Sequence, residues 1–398
     1  MTAASDSATR HTVPRTVWAL GLVSMFMDMS SEMIHALLPV FLVGTLGASA
    51  ILVGIIEGIG EGATAITKIF SGAISDWLGK RKLLTVIGYG MGAASKPFFA
   101  IAMTPFEVLA ARLVDRIGKG IRGAPRDALV ADVTPAHARG AAFGLRQSLD
   151  TIGAFSGPLL AMALLALFAD VRMVFWIALI PGVICVLILV LFVREPESTA
   201  TATKPAAAQF AWSRLRGIGR AYWTVVAIGI VFTFARFSEA FLVLRGQDAG
   251  LTLALLPGVL IAMNVVYAAS AWPAGWLSDR IDRRLVLAVG LGALIVADLM
   301  LAAWNSVPGL LLGVSFWGLH MGLTQGLLAA MIADTAPADL RGTAFGLFNV
   351  VTGVMMFLAS ALAGVLWETV GHDATFVAGA VFAGLSATAL VLLRRRAE

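Results

Sequence analysis

Twelve apolar runs, each about long enough to cross a bilayer, leave this chain few ways to fold. A helix rises about 1.5 Å per residue, so a crossing needs roughly 20 apolar residues. Hydropathy marks such runs near residues 16–44, 51–74, 83–103, 106–130, 142–168, 173–193, 221–244, 252–275, 285–303, 308–332, 343–367 and 374–393. The breaks between them hold turn formers, as at Gly47-Ala48-Ser49, Thr104-Pro105, Asn305-Ser306-Val307-Pro308 and Gly371-His372-Asp373. The pattern predicts an all-α membrane protein with twelve transmembrane helices.

Composition points the same way. Hydrophobic residues make up 59% of the 398 residues and charged ones 13%, with a mean hydropathy of +0.88. A soluble domain holds about 45–50% and about 25%. Too little polar surface remains to cover one core, so apolar surface must face lipid. The single cysteine, Cys185, excludes an internal disulfide and a thiolate zinc site, and reads as a small buried apolar residue. Residues 1–15 are polar and show no cleavable signal pattern.

The net charge of +5 reflects loops at one membrane face rather than affinity for nucleic acid. With both termini cytoplasmic, nineteen of the 29 lysines and arginines lie at cytoplasmic ends, and only Arg172 and Arg245 lie in outer loops. That asymmetry sets the expected orientation in the cell (inner) membrane. The chain divides into a tail (1–15), a first six-helix half (16–193), a linker (194–219), a second half (220–393) and a short tail (394–398). The linker is rich in Pro, Ala and Thr. Its Phe210, Trp212, Arg214 and Arg216 suit the headgroup layer.

The halves are related. Ala131-Asp132-Val133-Thr134-Pro135-Ala136, followed by Arg139-Gly140-Ala141-Ala142-Phe143-Gly144-Leu145, recurs 202 residues later as Ala333-Asp334-Thr335-Ala336-Pro337-Ala338 and Arg341-Gly342-Thr343-Ala344-Phe345-Gly346-Leu347. Gly72-Ala73-Ile74-Ser75-Asp76 recurs as Gly275-Trp276-Leu277-Ser278-Asp279, and Ser31-Glu32 as Ser238-Glu239. Two parallel repeats place a binding site at their interface, near mid-membrane.

Residues Gly72 to Lys82 follow the pattern G-x-x-x-D-x-x-G-[RK]-[RK] between helices two and three. On this motif the chain resembles the major facilitator superfamily over essentially its whole length. The resemblance implies two pseudo-symmetric six-helix halves working as a monomer, with Asp76 helping to close the cytoplasmic side. Arg116-Ile117-Gly118-Lys119-Gly120-Ile121-Arg122-Gly123-Ala124 is similar to a fourth-helix motif of the family whose arginine is linked to proton coupling; Lys119 and Arg122 depart from it. Gly153-Ala154-Phe155-Ser156-Gly157-Pro158 resembles the start of a fifth-helix antiporter motif, so Gly153, Gly157 and Pro158 imply antiport.

Ionisable residues inside spans cost about 2.5–3.5 kcal/mol each at mid-bilayer unless paired or wet, so they mark function. Asp28, Glu32 and His35 share a face of helix one within roughly 60°, as do Glu57, Glu61, Thr64 and Lys68 on helix two. Arg112, Asp115, Arg116, Lys119, Arg122, Arg126 and Asp127 cluster on helix four. These predict three charged faces turned to one cavity. Proton coupling is expected from Asp28 or Glu32 alternately pairing with Arg116. The expected substrate cavity holds His35, Glu57, Glu61, Lys96, Arg112, Asp115, Lys119, Arg236, Glu239 and Asp298. The gate set is Gly72, Asp76, Gly79, Arg81, Arg122, Arg126, Asp127, Arg139, Asp150, Asp279 and Arg341.

No phosphate loop or catalytic triad occurs, so no enzyme activity, cofactor or resident metal is expected. The partners are a small molecule, protons and the bilayer. Three transport readings stand: proton antiport exporting a polar or charged organic molecule, proton symport of an organic acid or other metabolite, and divalent-metal transport through Asp28, Glu32, His35, Glu57 and Glu61.

Overall fold

The computed structural model describes residues 14–135, 138–195, 219–278, 280–336 and 341–395. Outside them lie Asp279, most of the 194–219 linker with Phe210, Trp212, Arg214 and Arg216, and the outer parts of both tails; the side chains of Asp76 and Arg341 are likewise not described. The described residues are helical and contain no strand.

The helices are α1 (Arg15–His35), α2 (Ala50–Leu78), α3 (Arg81–Ile101), α4 (Pro105–Val133), α5 (Arg139–Phe168), α6 (Val171–Phe192), α7 (Arg220–Phe234), α8 (Ala240–Asp248), α9 (Pro257–Ser278), α10 (Arg283–Ala303), α11 (Val307–Thr335), α12 (Arg341–Thr369) and α13 (His372–Arg395). Nine segments among the described residues are long and apolar enough to cross a membrane. The other expected spans are also helical, at α3, α4 and α7 with α8. Here α4 carries seven ionisable residues between Arg112 and Asp127, and α7 is only 15 residues long.

Local signals place several ends. Ser49 Oγ accepts from Leu52 N at 3.2 Å to start α2, and Gly79 closes it in the left-handed region with φ 62°. A capping box of Thr104 and Glu107 starts α4. On α6, Trp176, Ile180, Val183 and Leu187 form an exposed stripe at helical spacing, opposite buried Phe175, Ala178 and Cys185. A helix apolar all round suits lipid on one side and protein on the other.

Two expected spans are interrupted. The 16–44 run leaves α-geometry after His35, passes through a short turn at Leu38–Val40 and ends in a π-helical turn, Phe41–Thr45. Pro39 has no N–H for residue 35 and its ring crowds that carbonyl. The 221–244 run breaks at residues 235–239, where Ser238 Oγ accepts from Ala240 N at 3.2 Å and Ser360 Oγ accepts from Ser238 N at 3.1 Å. Arg245 therefore sits in α8 rather than in an outer loop. It is buried and donates to Leu301 O and Asn305 Oδ1, both at 2.8 Å.

Among the first helices, α1 packs on α5 and α6, α3 on α4 and α6, and α2 on α4. The pairings recur later: α7 on α12 and α13, α10 on α11 and α13, α9 on α11. Contacts of α2 with α12 and of α5 with α9 join the two sets. Small residues allow the closest of these. A Cβ on Gly58 would stand 2.8 Å from Phe357 Cα, and one on Gly364 would stand 2.5 Å from Ala50 O. On α5, a Cβ on Gly157 would stand 2.7 Å from Met29 O and 2.8 Å from Glu32 Cβ. Gly157→Val should therefore destabilise the detergent-solubilised protein by about 1–3 kcal/mol. Gly144→Val, on the same helix with nothing within 4 Å of its Cβ, should leave the melting temperature unchanged.

Candidate functional site

The charged residues form a ladder between helices. Glu57 and Glu61 lie one turn apart on α2, and Arg112 and Arg116 one turn apart on α4. Arg112 Nη2 meets Glu57 Oε2 at 2.6 Å and Arg116 Nη1 meets Glu61 Oε1 at 3.0 Å. Equal spacing on two packed helices brings both rungs into register. Gly60 leaves room for the arginine stems, since its Cβ would lie 3.3 Å from both Cγ atoms.

The lower-numbered rung is sealed. Glu57 and Arg112 side chains are 1% and 2% exposed. Glu57 also receives Ser238 Oγ at 3.4 Å from the 235–239 break and lies 3.6 Å from His35 Nε2 at the end of α1. One carboxylate thus ties α1, α2, α4 and the α7–α8 break together. The second rung is lopsided: Glu61 is 41% exposed, Arg116 only 5%.

Further pairs continue away from it. Lys96 Nζ bridges Asp115 Oδ1 at 2.8 Å and Ser31 Oγ at 3.0 Å. Arg122 lies 3.8 Å from Asp28 and over the Tyr89 ring at 4.7 Å. Arg126 donates to Ser24 Oγ at 3.0 Å and Asp127 Oδ1 at 3.1 Å and reaches Asp150 at 4.0 Å, while Arg146 pairs with Asp150 at 2.7 Å. At the same end Arg81 pairs with Asp132, and Arg283 with Asp334, 202 residues on.

A cavity of about 410 Å³ opens between α2, α7, α11 and α12. Glu61, Lys68 and Arg236 supply charge, Thr64, Asn349 and Thr352 supply hydrogen-bonding groups, and Phe232, Phe345, Phe348 and Met356 form an apolar wall.

This corrects several expectations. Of the expected cavity residues only Glu61 and Arg236 line it, joined by Lys68. Glu57, Lys96, Arg112 and Asp115 are sealed between helices as ion pairs, because unpaired charge in that setting is costly. Arg116 pairs with Glu61 and with Asp115 at 3.9 Å, not with Asp28 or Glu32. Glu32 instead pairs with His35 at 3.3 Å. Lys119 is exposed on α4, Glu239 is half-buried in the break, and Asp298 is fully buried on α10.

In the gate set, Gly72 packs on Ala124 and Arg139 is exposed at the start of α5. Pro158 lies inside α5, and Gly153, like Gly157, lies against α1 backbone, at Met25 O. Residues that sequence reasoning missed are mostly neutral: Tyr89 and Ser24 on Arg126, Asn349 and Thr352 on the cavity. Glu368 was also missed; its Oε2 accepts from Ala50 N at 2.9 Å and ties α12 to the start of α2.

Residues 20–360 and 246–398 match the family model described as Major Facilitator Superfamily. An uncharacterised MFS-type transporter of Methanocaldococcus jannaschii is 30% identical over 387 residues, 95% of each chain. The inner membrane transport protein YajR of Escherichia coli is 24% identical over 386 residues, 93% of this chain and 81% of YajR. The crystal structure of the nucleoside transporter NupG shares the fold, with a TM-score of 0.74 and 15% identity over 96% of this chain and 99% of that one. Kinship along the whole length and a common fold agree: this multi-pass membrane protein belongs to the Major Facilitator Superfamily, a family of transporters.

Proposed function

We propose that the protein moves a small polar or charged organic molecule across the inner membrane by alternating access, exporting it in exchange for protons. The observation that carries this reading is the Glu61–Arg116 pair at the cavity wall. Glu61 reaches water and substrate; Arg116, nearly buried, has a second carboxylate in Asp115 to turn toward. Protonating Glu61 releases Arg116, and re-forming the pair expels the proton. That exchange links proton movement to a shift of α4 against α2.

The molecule is read as twelve crossings in two six-helix halves, with the basic ends and both termini cytoplasmic. The recurring helix pairings and the distribution of basic residues support this. The inner-membrane assignment follows the name borne by YajR. Both charge signs beside an aromatic wall favour a zwitterionic or amphoteric substrate with an apolar portion.

Export is favoured by the Gly153-Gly157-Pro158 stretch, whose Gly157 abuts Glu32 on α1. Proton symport of an organic acid is a second reading, supported by Lys68 and Arg236 in the cavity. Metal transport is disfavoured, because Arg112 and Arg116 occupy Glu57 and Glu61. Proteoliposomes carrying a pH dye and offered a panel of zwitterions and organic ions test the reading. The compartment that gains substrate should become alkaline; acidification there would establish symport instead.

A further inference from the structure

The 202-residue step that relates the repeated motifs also relates helix contacts. A Cβ on Gly88 of α3 would meet Gly118 O at 2.6 Å and Arg122 of α4; one on Gly290 of α10 would meet His320 O at 3.8 Å and Thr324 of α11. On this step Lys96 corresponds to Asp298, and its partner Asp115 to Trp317. The buried ammonium of the first repeat becomes a buried carboxyl in the second, and the partner carboxylate becomes an indole.

Asp298 is 0% exposed, and neither of its oxygens has a hydrogen-bond partner; nor does Trp317 Nε1. Asp298 lies with Phe237 against Gly379. A Cβ on Gly379 of α13 would stand 2.5 Å from Asp298 Oδ2 and 3.1 Å from Phe237 Cε1. Phe237 in turn packs on Trp317 at 5.2 Å and Phe376 at 5.6 Å between ring centroids.

No surrounding element supplies a counter-charge among the described residues. On α8, Arg245 is engaged by Leu301 O and Asn305. On α11, His320 turns Nδ1 to Gly290 O at 2.9 Å. In the break, Arg236 lines the cavity and Glu239 is half-buried, and neither bonds the Asp298 oxygens. On α13, Gly379 and Phe376 face it. An ionised carboxylate in such a setting is uncompensated, whereas a neutral acid has no such penalty.

We propose that Asp298 is a proton-binding site of the second repeat: it holds its proton while sealed beside Phe237 and Trp317, and releases it to water when the 235–239 segment moves and opens the pocket. The segment whose Phe237 shares the Gly379 contact with Asp298 also carries Arg236 of the cavity wall and Ser238, which touches Glu57. The charge state of Asp298 is thereby connected to both halves of the ion-pair ladder. The inference builds on the proton-exchange reading but not on Glu61 as its carrier.

Infrared difference spectroscopy of the purified full-length protein between acidic and alkaline buffer tests it. The wild type should show a protonated-carboxyl band that Asp298→Asn removes and that Glu61→Gln and Glu32→Gln leave in place. Asp298→Glu, which keeps the carboxyl, should shift the band rather than abolish it, and decides the matter if the asparagine variant does not fold. A wild-type band that persists in Asp298→Asn, or that neither substitution moves, overturns the assignment. Failure of the Glu61-based reading would show separately, as unaltered gradient-driven transport in Glu61→Gln.

Discussion

Arg112→Leu should be the most destabilising single substitution in the first repeat, lowering stability by about 3–5 kcal/mol. The cause is the carboxylate it leaves behind. Glu57 is 1% exposed, and its strong partner is the Arg112 guanidinium at 2.6 Å. His35 at 3.6 Å and Ser238 at 3.4 Å are weaker substitutes. Without Arg112 a buried anion stands nearly alone among α1, α2, α4 and the α7–α8 break. Removing both charges, as in Glu57→Leu with Arg112→Leu, should recover most of the loss, because the desolvation cost of the pair disappears with its attraction. Thermal unfolding in detergent of both singles and the double completes the cycle. Additive losses in the double variant would show that the pair is not coupled.

Glu61→Gln should have the largest effect on transport. Accumulation driven by a pH gradient should fall to the level of empty liposomes, while substrate counterflow at equal pH continues. The amide keeps the shape of Glu61 but neither ionises nor holds Arg116 as an ion pair, so Arg116 is left with Asp115 at 3.9 Å. Folding should suffer little, since Glu61 is 41% exposed and screened by water in the cavity. Loss of counterflow together with gradient-driven transport would make Glu61 a substrate ligand rather than a proton carrier.

The sequence made the charged faces readable, because helical periodicity fixes which residues share a face. Glu57 and Glu61 on one helix and Arg112 and Arg116 on another already carried the spacing of the ladder. Which carboxylate meets which arginine was not readable. That depends on the rotation and depth of α2 against α4, set by contacts such as Gly60 beneath the arginine stems. So Arg116 was expected at Asp28 or Glu32 and lies at Glu61.

The break in α1 had a visible agent in Pro39, though hydropathy ran through it. The break at 235–239 had none: Phe234-Ala235-Arg236-Phe237-Ser238-Glu239-Ala240 contains neither proline nor glycine. Its freed backbone N–H groups are met by serines on the break itself and on α12, partners that only the folded chain brings near. The cavity's apolar wall was hidden for the same reason, as Phe345 and Phe348 look like any lipid-facing aromatics until α12 is laid against α2.

The seam between α2 and α12 bears on how fast the molecule can change shape. Where Gly58 meets the Phe357 backbone and Gly364 meets Ala50, main chain lies directly against main chain. Such a joint can shear by small steps without rotamers having to hop. On the proposed alternating-access reading, the tempo of switching would then belong to the electrostatic catches at its flanks: Glu61 on Arg116, and Glu368 on the Ala50 amide.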